Sequence, residues 1–289
     1  MSSTILREPQ DERLASTGTR AVTRPNSFIF TLYGDMVHRL SSDGALWIGA
    51  LIRLMGSFGL SGPAVRQAVS RMSRQGWLVA RREHNRALYA VTPRGRRRIR
   101  ELEPRIYGPV IEWDGRWRLL SYAIGEGRRR KREQLRKELS ALGWAMLSPS
   151  TWISPSDTLS AAREAARTTL TLDAVHFFTS EYRGPLSDRE LLERCWNIPA
   201  IASAYRDFIA RYAPRLERER THADLTDEAA LVERLWLVHD YRKFAYLDPG
   251  LPSELLPAHW PGTAAAALFR ECYSAIEVKS QRYFHLCTA

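Results

Sequence analysis

With 289 residues, 44% of them hydrophobic, the chain is long enough for two or three domains, and its 43 Lys and Arg against 32 Asp and Glu leave a net charge of +11. No apolar run approaches the roughly 18 residues of a membrane span, which excludes a transmembrane helix and points to a soluble, cytoplasmic protein without a membrane partner. Cys195, Cys272 and Cys287 are scattered without metal-ligand spacing and cannot all pair; reduced thiols are expected, with Cys195 and Cys272 packed in helical cores.

Residues 1–26 are polar and mixed in charge, with no signal-peptide pattern, and read as a disordered tail. A first helix is expected from Ser27 to near Val37. A second is expected over Ala45–Met55, with Leu46, Ile48, Leu51, Ile52 and Met55 mostly inward. Gly56–Leu60 turns into a third, the most informative segment of the chain. Ser61 is its N-cap, Pro63 sits in the first turn where an N–H has no intrahelical partner, and Gly76 ends it. Val65, Ala68, Val69 and Met72 form one apolar stripe. The other face presents Arg66, Gln67, Ser70, Arg71 and Arg74, all residue types that contact bases and phosphates.

Trp77–Arg82 and Ala87–Val91 alternate with period two around a turn at Glu83–Arg86, a hairpin with Arg81, Arg82 and Arg86 near its tip. Thr92 and Pro93 open a further helix to about Tyr107. Three helices followed by a basic hairpin are the layout of a winged helix-turn-helix over 27–108, and double-stranded DNA is the first partner to consider. Charge supports this placement. Residues 1–108 hold 18 arginines, no lysine and 8 acidic residues, so almost the whole positive excess lies there. The candidate DNA-binding residues are Ser61, Arg66, Gln67, Ser70, Arg71, Arg74, Arg81, Arg82 and Arg86.

The next unit, 109–186, reads β-α-β-β-α-β. Its strands fall at Arg118–Ile124, Gly143–Leu147, Thr151–Ile153 and Ala174–Ser180, and its helices at Glu126–Leu142 and Leu159–Leu170, an order that is ferredoxin-like. Residues 187–289 are helical with proline-rich breaks, over about 188–196, 199–218, 226–243 and 263–277. The fold class is therefore α+β, in three domains behind the tail. The basic run Arg128–Arg132 could take the phosphates of a nucleotide-containing ligand, extend a DNA footprint, or stand in solvent.

Catalysis is not expected. A metal-dependent nuclease needs a carboxylate near the end of the first middle-domain strand, and Leu119–Ile124 has none; Asp114 lies beside Gly115, where a turn role fits better. No metal, cofactor, hydrolase or phosphate-loop motif occurs. A constitutive architectural DNA binder is a separate alternative, but the aromatic-rich helical third suits ligand sensing or assembly better.

Several blocks carry a resemblance: Phe28–Asp35 (Phe-Ile-Phe-Thr-Leu-Tyr-Gly-Asp), Phe58–Ser61 with Ala64–Arg71, Gly76–Leu78, Tyr89–Arg98, Arg105–Gly108, Trp113–Arg118 and, most distinctive, Phe244–Gly262. In these the chain resembles the PaaX-type repressors of bacterial phenylacetate catabolism, along nearly its whole length after residue 26. The resemblance implies an operator-binding winged helix, a middle domain used for homodimerisation, and release from DNA by an aryl-acyl-CoA effector, phenylacetyl-CoA. A family member serving another pathway would take a different aromatic ligand. The extension of some 26 residues and the last dozen depart from the family pattern. Toward such an effector, Arg128 and Arg129 are candidates for phosphates, as are His239, Arg242 and Lys243 for a phosphate or the acyl carbonyl. Trp236 and Trp260 are candidate walls of an aromatic pocket. Each has a plainer alternative, in core packing or as surface charge.

Overall fold

The computed structural model describes residues 20–41, 43–84, 86–108, 112–123, 129–169, 174–221 and 225–289. They form two compact units. One runs to Thr92 and includes Phe284–Ala289, and the other spans Pro93–Tyr283.

In the first unit, α1 (Pro25–Leu32) continues through a π-helical turn (Tyr33–Val37) into α2 (His38–Leu40). There follow β1 (Ala45–Trp47), α3 (Ile48–Gly56), α4 (Gly62–Arg74), β2 (Leu78–Glu83) and β3 (Arg86–Val91). The strands make one antiparallel sheet in the order β1-β3-β2, with Trp47 opposite Leu88 and Glu83 opposite Arg86. Two sequence expectations differ here. The first helical stretch runs on past Val37 to Leu40. Ala45–Trp47, expected to open the second helix, is a strand, and the helix begins only at Ile48. A three-residue apolar opening has no period of its own, and the free edge of β3 supplies the backbone partners that settle it.

The α4 helix packs against α1 and α3. Val65, Ala68, Val69 and Met72 are its buried face, none more than 2% exposed. The Tyr33 phenol donates to the Tyr89 carbonyl at 2.7 Å, tying the first helical stretch to β3. At the base of the hairpin the Thr92 hydroxyl donates to the Gly76 carbonyl at 2.7 Å, and Phe30 meets Trp77 edge-on at 5.6 Å.

The second unit opens with α5 (Pro93–Tyr107) and β4 (Trp117–Tyr122), then α6 (Arg129–Ala141), β5 (Ala145–Ser148), β6 (Thr151–Ser154), α7 (Leu159–Thr169) and β7 (Val175–Ser180). Its antiparallel sheet has the order β5-β6-β4-β7, with the first and third strands of the unit in the centre, as a ferredoxin-like topology requires. Alternation sends the two faces to different cores. Leu120, Tyr122 and Trp152 pack on Leu135 and Leu139 of α6 and Ala162 and Ala166 of α7. Trp117, Leu119 and Ile153 face the helical region.

That region consists of α8 (Asp188–Cys195), α9 (Ile198–Thr221), α10 (Asp227–Tyr241), the short α11 (Phe244–Leu247), a 3-10 turn (Ser253–Leu255) and α12 (Pro261–Thr288). The last helix passes its expected end at 277. Val278 and Leu286, each 68% exposed, interrupt the apolar period there, although Ser280, Phe284 and Cys287 are buried. Ser187 caps α8 in a capping box with Glu190. The Trp117 indole donates to Asp188 at 2.6 Å and stacks on Trp196, joining sheet to helices. The helix α5, placed by sequence with the DNA-binding segment, clusters with this unit; Arg98 lies over the Tyr246 ring at 5.1 Å.

Gly143, between α6 and β5, has φ +89°, and a Cβ there would sit 2.5 Å from the Pro249 Cβ. Gly143→Ala should therefore cost on the order of 1–3 kcal/mol, read as a lower urea midpoint with an unchanged far-ultraviolet dichroism spectrum.

Candidate nucleic-acid interface

The exposed face of α4 is assembled by its own amphipathic pattern. Ser61 caps the helix, its hydroxyl accepting from the Ala64 N–H at 3.4 Å. Arg66, Gln67, Ser70, Arg71 and Arg74 are all exposed, and Ser61 is exposed at the head of the same helix. Burial of the opposite stripe leaves them no other direction. The Arg66 guanidinium lies back over the first turn, 3.2 Å from where a Cβ on Gly62 would be. Arginine forks, an amide and a hydroxyl along about three turns of helix can donate to base edges and phosphates.

The hairpin is more differentiated than the sequence suggested. Only Leu78 of β2 is buried. Arg81 is exposed but paired, its guanidinium 2.9 Å from the Asp43 carboxylate, with both side chains about half exposed. Burial pushes the Asp43 carboxyl up, but hydrogen bonds from Ser41 and the Ala45 N–H, together with Arg81, outweigh it and hold the group below the usual carboxylate range. Arg82, the next residue on the strand, points to the opposite face. Arg86 is exposed and lies over the Trp47 indole at 5.0 Å, with Arg53 at 5.7 Å from the same ring. Sequence reasoning missed both Asp43 and Trp47. They stand 38 and 39 positions from their arginines, and no local pattern links them.

The residues considered for a ligand differ in burial and in partners. Arg128 lies outside the described residues, and Arg129 is exposed at the start of α6. Trp236 is buried, with the His239 ring edge-on at 5.9 Å. Lys243 is exposed, its ammonium 3.4 Å from Asp240, a buried carboxylate that also accepts from Arg211 and Tyr212. Arg242 is half-buried, and burial holds its guanidinium below the usual value. Trp260 is half-buried and meets Tyr205 edge-on at 5.8 Å.

Asp114 is occupied in a turn. One oxygen accepts from the Arg116 N–H, and the carboxylate takes the Arg118 guanidinium in a bidentate pair at 2.6 and 2.7 Å. Among the described residues no cluster of three or more His, Cys, Asp or Glu could hold a metal ion, and no described helix is long and apolar enough to cross a membrane.

Known proteins match the chain in three consecutive blocks. Residues 24–95 match the PaaX-like protein family, 111–192 the PaaX protein central Cas2-like domain, and 196–286 the PaaX-like protein C-terminal domain. The chain is 34% identical over 257 residues to the transcriptional repressor PaaX of Escherichia coli (strain K12), covering 86% of this chain and 79% of that one. Among solved structures it is similar to the uncharacterized protein Rv0674 from Mycobacterium tuberculosis, with a TM-score of 0.57 and 21% identity over 91% of this chain and 99% of the other, a likeness of fold.

The depressed Asp43 carboxyl sets a pH dependence. A group whose folded pKa lies below its unfolded value stabilises above about pH 4 and loses that contribution as pH falls through the folded value. The melting temperatures of the wild type and Asp43→Asn should differ near neutrality and converge below about pH 4 in thermal melts across that range.

Proposed function

The chain belongs to the PaaX family, and from this we propose that it is a DNA-binding transcriptional repressor of an aromatic-compound catabolic operon, working in the cytoplasm. The observation that carries the reading is the exposed polar face of α4, backed by an adjacent basic hairpin. In this reading the first unit is a winged helix-turn-helix. Its α4 enters the major groove, where Arg66, Gln67, Ser70, Arg71 and Arg74 meet bases and phosphates, and the hairpin reaches the flanking backbone or minor groove. Ser61 offers its exposed cap, and the helix N-terminus favours a phosphate. Arg82 meets a phosphate in this reading, whereas Arg81 and Arg86 must first leave Asp43 and Trp47.

The family resemblance adds the control. An aryl-acyl-CoA such as phenylacetyl-CoA releases the protein from its operator, and the ferredoxin-like sheet pairs two copies so that they meet a two-fold operator. A repressor of another aromatic pathway would keep the same DNA contacts and change only the ligand. Two features support a regulator over an enzyme: Asp114 is engaged by Arg118, and the buried Asp240 by Arg211, Tyr212 and Lys243. A purely architectural binder would not need the second unit's large aromatic core.

Fluorescence anisotropy with DNA from upstream of the gene's own operon tests these roles. Arg71→Ala should lose about 1–3 kcal/mol against the operator and little against shuffled DNA, as a base contact requires. Arg82→Ala should weaken both alike and reduce the slope of log K against log salt by about 1. Equal losses on both DNAs for Arg71→Ala would remove its base-reading role. Addition of phenylacetyl-CoA, with free coenzyme A and phenylacetate as controls, should release the operator.

A further inference from the structure

Beside β1 and β3 the first unit holds a cleft of about 700 Å³, within the size range of small-molecule sites. Leu46, Trp47, Leu88 and Phe284 give it apolar and aromatic walls, and Arg86 and His285 add polar groups. Trp47 packs on the start of α3. Its six-membered ring lies against Gly49, so close that a Cβ there would fall 1.7 Å from the ring. The indole N–H is buried and finds no acceptor among the described residues. Two guanidinium groups, Arg86 at 5.0 Å and Arg53 at 5.7 Å, stand by the same ring. Arg53 also donates to the Leu286 carbonyl at 3.4 Å, fixing the end of α12 beside the cleft. Glu83, opposite Arg86 in the hairpin register, is the one carboxylate among the lining residues, beside Arg86 and the imidazoles of His84 and His285.

We propose that this cleft is a receptor site for a small organic anion with an aromatic body. The apolar walls and the Trp47 ring take the aromatic body, and Arg86 balances the charge. The proposal rests on the reading of the chain as a ligand-released repressor and locates the release signal. Arg86 begins β3 at the hairpin, so a ligand that holds its guanidinium in the cleft withdraws a cation from the DNA-facing edge.

The test is an ¹H–¹⁵N correlation spectrum of the tryptophan indoles in the full chain, titrated with phenylacetyl-CoA, phenylacetate and coenzyme A. The Trp47 resonance is the one absent from Trp47→Phe, and operator affinity is followed by anisotropy in parallel. The expected result is a saturable shift of the Trp47 resonance with an aryl-bearing ligand and none with coenzyme A. Trp47→Phe should weaken that ligand at least tenfold while leaving operator affinity without ligand within twofold. If phenylacetyl-CoA releases DNA while the Trp47 resonance stays in place, the repressor reading stands and the cleft assignment falls. A stationary Trp47 resonance with all three probes overturns the assignment in any case. A chain that never binds its operator but shows the saturable shift loses the repressor reading and keeps the site.

Discussion

The burial of one stripe of α4 is the constraint on which the first unit depends. Val65, Ala68, Val69 and Met72 fill the space against α1 and α3, and their loss of water-exposed apolar area fixes the rotation of the helix about its axis. Three of the four are small or β-branched, so the helix sits close to its neighbours. Every polar side chain on the other face is then displayed outward without any interaction having to hold it there. The display is a consequence of packing. It therefore persists at any salt concentration, although contacts made by the displayed arginines with phosphates would be strongly salt-dependent.

The arginines of α4 and the hairpin divide into two kinds. Those on α4 and Arg82 project from the surface, whereas Arg81 is tied to Asp43 and Arg86 lies on Trp47. An exposed ion pair such as Arg81–Asp43 contributes little to stability, on the order of 0–1 kcal/mol, so it is a cheap restraint that a phosphate can replace. The cation over Trp47 is of similar modest strength. Weak local restraints on the hairpin, beside a rigidly packed α4, give a surface with one fixed element and one adjustable element. In the second unit the charges serve another end. Arg118 with Asp114 and the donors around Asp240 hold turns and helices in place.

The elements that sequence alone disclosed are those with a strong period and a clear cap. The α4 helix had Ser61, Pro63, a four-residue apolar stripe and Gly76, and its bounds followed. The middle strands expected at Arg118–Ile124 and Thr151–Ile153 were visible as short apolar runs between turn residues, and their β-α-β-β-α-β order carried the sheet topology. β1 was hidden because Ala45–Trp47 borrows its conformation from β3, a partner more than 40 positions away. The end of α12 was hidden because exposed Val278 and Leu286 mask the apolar period. At the candidate interface the α4 face was fully legible. The partners of Arg81 and Arg86 were not, because an ion pair across 38 positions leaves no trace in local pattern. The cleft at Trp47 combines residues from both ends of the chain and is visible only after folding.

The central claim is that the α4 face reads a particular DNA sequence. Selection of binding sites from a random DNA library, followed by anisotropy titration of the enriched and a shuffled sequence at physiological salt, tests it most directly. The account predicts a single enriched site bound at least about 10³-fold more tightly than the shuffled control, as sequence-specific regulators do. Equal affinity for the two, with no sequence enriched, would contradict it.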